Sequence, residues 1–142
     1  MISEVLFFCC NLTMEDKAMY RYFNNNPLGR NTVGDCSVRA VSKALGISWD
    51  EAHDLLADMS KQMGTIMNDN DVISAVLRMH GFYKENLPCT NRDCYTIREF
   101  AIDNPVGTYV VGTGSHVVCI IDGCYFDSWR SGDESIICFW TK

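Results

Sequence analysis

Cys36, His116 and Asp127 supply, in that order along the chain, a thiol, an imidazole and a carboxylate. A thiol ionised by an imidazole is a nucleophile for acyl transfer, and a carboxylate behind the imidazole fixes its tautomer and orientation. The downstream half sets the geometry, because it contains a turn signal. His116 to Ile121 reads as a strand, Asp122-Gly123 as a two-residue type I′ turn, and Cys124 to Trp129 as the return strand. That turn pairs Ile121 with Cys124, Ile120 with Tyr125, Val118 with Asp127 and His116 with Trp129. Alternation then puts His116, Val118 and Ile120 on one face with Tyr125, Asp127 and Trp129. His116 and Asp127 become diagonal neighbours, with Cβ atoms within about 7–8 Å, inside the reach of an imidazole–carboxylate hydrogen bond. A slip of one residue in the register would separate them.

The upstream half positions the thiol. Asn31-Thr-Val-Gly-Asp35 is polar and turn-rich, and it runs into a helical pattern from Cys36 to Leu45 stopped by Gly46. Cys36 therefore falls in the first helical turn, where unpaired backbone N–H groups and the positive end of the helix dipole favour thiolate. A tetrahedral oxyanion needs donors, and the Cys36 backbone N–H with a side-chain amide just upstream would supply them; Asn31 is the candidate amide.

With these residues in view, the chain resembles the papain-like cysteine peptidases: a loop, a Cys at a helix start, a His on a later strand, and an Asn or Asp on the next. The family's Asn-Ser-Trp element is similar to Asp127-Ser128-Trp129 here. The resemblance implies that Trp129 shields the His116–Asp127 bond from water and that the substrate is a protein or peptide. Aspartate at the third position is similar to compact bacterial branches such as bacteriocin-processing peptidase domains, and small stand-alone proteins of phages and mobile elements also look alike. The chain departs from the family twice. Arg30 stands six residues before the cysteine, where the family has its oxyanion glutamine, with Asn31 one position nearer; Ser37 replaces the family's tryptophan after the cysteine.

Composition narrows the alternatives. At 142 residues and 47% hydrophobic content, one domain spanning 1–142 with a proper core is expected, with 1–13 as an atypical apolar extension. A net charge of −6 with scattered Lys and Arg argues against nucleic acid as the main partner. No apolar run reaches the roughly 18–20 residues that span a bilayer, so no membrane role is expected. Val5 to Cys10 is short, follows Glu4 and lacks a basic n-region, which reads as a poor signal peptide and points to the cytoplasm. The cysteines number eight, yet Cys119, Cys124 and Cys138 lie in apolar strand-like stretches, so buried thiols rather than a disulfide framework are expected. Cys89 and Cys94 could form half a zinc site, but no second close pair accompanies them, and Cys119 and Cys124 would face opposite sides of the sheet; no metal or cofactor is expected.

The other elements follow from caps and periodicity. Ser48-Trp-Asp-Glu51 is a capping box opening a helix whose face carries Trp49, Ala52, Leu55, Leu56 and Met59. Asn70 or Asp71 caps a further helix running through His80 and ended by Gly81, and Thr96-Ile-Arg-Glu99 starts a short one that stops before Pro105. Strands are expected at Thr108 to Val111, His116 to Ile121, Cys124 to Trp129 and about Ser135 to Trp140. Helices first and antiparallel strands last is an α+β layout, which suits the papain-like reading.

Each candidate also has an ordinary reading. Cys36 could be one more small core residue, His116 a hydrogen-bonded sheet histidine, Asp127 a hairpin cap and Asn31 a plain turn residue. His53 and His80 read as helix-surface groups, and the Gly112-Thr-Gly-Ser115 loop before His116 favours a cleft edge. The sequence thus supports a thiol hydrolase first, a transamidase or deamidase with the same triad second, and a non-catalytic protein-binding module third.

Overall fold

The structure is a computed structural model that describes residues 19–87 and 95–142. Residues 1–13, Met14 and the Cys89/Cys94 pair lie outside them. Among the described residues the chain is α+β, with four helices and a six-stranded sheet. Strand β1 (Tyr20–Tyr22) comes first, followed by helices α1 (Cys36–Leu45), α2 (Trp49–Met63) and α3 (Asn70–Met79). Strand β2 (Tyr83–Asn86) and helix α4 (Ile97–Asp103) lead into β3 (Thr108–Gly112), β4 (Val117–Ile121), β5 (Cys124–Asp127) and β6 (Cys138–Thr141).

Local chemistry defines the helix ends. The α2 capping box forms as read, with the Glu51 N–H donating to Ser48 Oγ at 3.0 Å, and α4 opens the same way with the Glu99 N–H on Thr96 Oγ1 at 3.1 Å. Helix α1 stops at Gly46 in the left-handed conformation, where its N–H and that of Ile47 satisfy terminal carbonyls. Helix α3 is capped by Asp69, one residue before the expected Asn70 or Asp71, with the Asp71 N–H donating to Asp69 Oδ1 at 2.8 Å; it ends at Met79, where His80 caps it through a 2.8 Å contact between Nδ1 and the Val76 carbonyl.

The β4–β5 hairpin has the expected register: Ile121 pairs with Cys124 and Ile120 with Tyr125. Its turn residues Asp122 and Gly123 both adopt positive φ, 49° and 78°, as a type I′ turn requires. Both strands are shorter than expected. Strand β4 begins at Val117 rather than His116, and β5 ends at Asp127, where the Ser128 N–H turns back onto the Asp127 carboxylate. The last strand is also shifted, to Cys138–Thr141, because Ser135 instead makes an isolated bridge with Thr96.

The sheet order is β1-β5-β4-β3-β6-β2. It is mixed rather than purely antiparallel, since β1 runs parallel to β5. Strands β1 and β2 occupy its two edges and have no counterpart in the sequence reading. Edge strands take their definition from a partner's backbone, and neither Tyr-Arg-Tyr nor Tyr-Lys-Glu-Asn shows a buried alternating face.

Two hydrophobic layers sandwich the sheet. On one face Val41 of α1, Leu56 of α2, and Ile73 and Leu77 of α3 pack against Val110, Cys119 and Trp140. On the other, Ile97 and Phe100 of α4 pack against Val111, Val118, Ile120 and Tyr125. The split between Cys119 and its neighbours Val118 and Ile120 is the period-two alternation made visible. Trp140 joins the layers to α3, donating its indole N–H to Ser74 Oγ at 2.9 Å. Cys119 and Cys138 are buried free thiols. No helix among the described residues is long and apolar enough to cross a membrane.

Candidate active site

Helix α1 lies against β4 and begins at Cys36, so its N-terminus points the thiol at the start of that strand. His116 immediately precedes β4, and Asp127 closes β5 beside it. The structure therefore brings Cys36, His116 and Asp127 together. The His116 Nε2 lies 2.6 Å from Asp127 Oδ2, and the imidazole is also hydrogen-bonded to the Cys36 thiol. With Nε2 committed to the carboxylate, Nδ1 is the nitrogen left for sulfur.

Asp127 is only 2% exposed and surrounded by donors. Its Oδ2 also accepts from Ser131 Oγ at 2.5 Å, and its Oδ1 accepts the Ser128 N–H at 2.8 Å. Arg39, one turn into α1, places Nη2 at 3.6 Å from Oδ1. The same guanidinium forms a buried ion pair with Asp35, the residue before the nucleophile. Asp35 leaves the helix N–H groups uncapped; its Oδ2 instead accepts from the Trp49 indole at 3.0 Å and the Asn26 amide at 3.2 Å. Held by these donors, Asp127 is placed to orient and charge-stabilise the imidazole.

These contacts bias the ionisation of the pair. Burial by itself pushes the Cys36 thiol up, but the hydrogen bond and charge of His116, the Val117 backbone N–H and the Arg39 charge together bring it below its ordinary 9.0. Burial likewise opposes the imidazolium, yet the bonds and charges of Asp127 and Cys36 raise His116 from 6.5 to about 9. Both directions favour thiolate–imidazolium. Two buried cysteines differ: burial raises Cys119 to about 12 and also raises Cys138, as expected of inert core thiols.

Trp129 is 44% exposed, with its ring tilted against the His116 imidazole at a centroid distance of 5.1 Å. The thiol opens into a cleft of about 130 Å³ lined, among the described residues, by Cys36, Ser37, Asn68, Asn70 and the Gly114–Val117 segment. The glycine-rich loop before His116 thus borders the cleft, as its position suggested. Asn31 is exposed in the preceding turn and is not among the lining residues. The amides at the cleft are those of Asn68 and Asn70, contributed by the α2–α3 connection and the start of α3.

Asn68, Arg39 and Ser131 had not been singled out in the sequence, and Asn70 only as a helix cap. Arg39 had a signal, because Asp35 and Arg39 stand four apart across a helix start, the spacing of an ion pair. The Asn68 and Asn70 positions had none, since only the packing of α3 against α2 brings them to the thiol. Among the described residues no group of three or more His, Cys, Asp or Glu side chains could hold a metal ion. Comparison with protein-family models, with curated proteins and with solved structures gives no match.

Proposed function

We propose that the chain is a papain-like thiol hydrolase that cleaves a peptide, isopeptide or related amide bond of a protein or peptide substrate. The observation that carries this reading is the single imidazole bonded on one side to a thiol at a helix N-terminus and on the other to a buried, multiply anchored carboxylate. An ordinary core cysteine has no need of such an arrangement, and Cys119 and Cys138 lack it.

In the proposed cycle the Cys36 thiolate attacks the scissile carbonyl, and the carbonyl π pair moves onto oxygen. The oxyanion is met by the Cys36 backbone N–H and an amide of Asn68 or Asn70. The His116 imidazolium then gives its proton to the leaving amine as the C–N bond breaks, leaving a thioester. Neutral His116 next takes a proton from water, whose hydroxide oxygen adds to the thioester carbonyl. The acid is released and thiolate–imidazolium restored. If an amine enters in place of water the same steps give transamidation, so acceptor access decides between the two outcomes. A thiolate nucleophile persists where thiols are kept reduced, which agrees with a cytoplasmic site of action.

The test is limiting iodoacetamide at pH 6 with site-resolved mass spectrometry. Selective labelling of Cys36 that falls on the order of a hundredfold in His116→Ala is expected, because an unassisted thiol is almost wholly protonated there. Labelling that spreads over the cysteines, or ignores the His116 substitution, would sink the triad.

A further inference from the structure

A second cavity, about 320 Å³, adjoins the thiol cleft and shares Ser37 and Asn68 with it. We infer that this cavity is the specificity pocket of the proposed hydrolase and takes an uncharged apolar side chain of the substrate, of the leucine, methionine or phenylalanine class, close to the scissile amide. The inference rests on the hydrolase reading for its meaning, but on the cavity for its content.

The lining argues for an apolar occupant. Val33, Val38, Ile66 and Met67 form its walls, and His53, stacked on Trp49 with ring centroids 5.0 Å apart, adds a flat one. No lysine or arginine lines it, so an acidic side chain would find no permanent cation there. The one carboxylate, Asp35, does not invite a cation: Arg39 occupies Oδ1, and Trp49 and Asn26 donate to Oδ2. At the lower end of the roughly 300–1,000 Å³ seen for ligand sites, the volume suits a side chain rather than a larger group.

The wall is also preformed. Ile66 is 68% exposed, yet the loop that carries it is closed by the Asp69 N–H on the Ile66 carbonyl at 3.2 Å and by Thr65 Oγ1 on Asp69 Oδ2 at 3.1 Å. A large aliphatic side chain fixed at the rim of a half-open cavity gains most when a partner covers it. Met67 beside it is unbranched and polarizable, and can adapt to more than one apolar shape.

Two measurements test the inference. The first compares Cys36 alkylation by chloroacetamide with that by chloroacetyl derivatives of leucinamide and glutamate amide, each under pseudo-first-order conditions. The leucine probe should react about tenfold faster than the glutamate probe, the scale of discrimination by an apolar pocket, and Ile66→Asp should erase that ratio. The second needs no reactive thiol: N-acetyl-leucinamide at millimolar concentration, but not N-acetyl-glutamate amide, should shift the backbone NMR signals of Gly34, His53 and Asn68. Equal rates for the two derivatives with a reactive Cys36, or the absence of those shifts, overturns the pocket. Shifts in the presence of an unreactive Cys36 keep the pocket and discard the hydrolase.

Discussion

Arg39 joins the two buried acids that flank the site in sequence and in space: it is ion-paired to Asp35 on one side and lies 3.6 Å from Asp127 on the other. One cation thus ties the residue before Cys36 to the carboxylate behind the His116 imidazole. Removing it takes from two buried carboxylates the cation they share and leaves Asp35 with neutral donors alone. Arg39→Met is expected to cost about 3–5 kcal/mol, as for other buried pairs broken from one side. Urea melts monitored by circular dichroism measure it, and a loss under about 1 kcal/mol, the scale of exposed pairs, would mean that the network is not coupled.

The raised His116 and lowered Cys36 values set a pH window for the proposed hydrolysis. Hydrolysis should rise once Cys36 ionises, below the ordinary thiol range, and fall again as the imidazolium deprotonates near 9. Stability follows the sign of the His116 shift. A folded-state value above the unfolded one means that its contribution is complete below pH 6.5 and is lost as the pH rises through about 9. The wild-type minus His116→Gln stability difference, measured from pH 6 to pH 10, should therefore shrink with rising pH. A difference that grows would reverse the assignment of charge.

The amides at the cleft separate two oxyanion arrangements. Alanine at whichever of Asn68 and Asn70 meets the oxyanion should lower kcat on the order of 10²–10³-fold, the usual effect of losing one such donor. Asn31→Ala, in an exposed turn, should leave kcat near wild type. Steady-state kinetics on a cleaved peptide decides, and a large loss confined to Asn31→Ala would restore the upstream amide to that role.

Gly123 probes whether the hairpin sets the site. Its φ of 78° is strained for any side chain, and an added Cβ would meet the Ala101 carbonyl at 3.3 Å and Pro105 at 3.4 Å. Gly123→Ala is expected to destabilise the fold by about 1–3 kcal/mol and to weaken Cys36 reactivity through the displaced β4–β5 register. Thermal melts and alkylation rates should move together; unchanged values for both would separate the turn from the triad.

How far the sequence reveals this molecule depends on the range of the signal. The β4–β5 register was legible because Asp122-Gly123 admits one tight turn, and the α1 start because polar turn residues meet a helical pattern at Cys36. Caps at Ser48 and Thr96 were equally local. What escaped depends on distant partners: Tyr20–Tyr22 is a strand only because β5 lies beside it, and Asn68 reaches the thiol only because α3 folds back on α2. Ser131 was hidden for the same reason, since the turn after β5 carries it back under the Asp127 carboxylate.

The parallel β1–β5 pairing continues past the strand, where the Phe23 N–H donates to the Asp127 carbonyl at 2.8 Å. The acid of the triad is thus pinned by a segment from the opposite end of the described chain. Contacts this distant in sequence form late, after loop-closure entropy has been overcome. Cys36 and His116 stand 80 positions apart, so the lowered Cys36 value belongs to the assembled sheet and not to the segment that carries the thiol. The ionisation of one sulfur atom thus reports on the packing of both ends of the described chain.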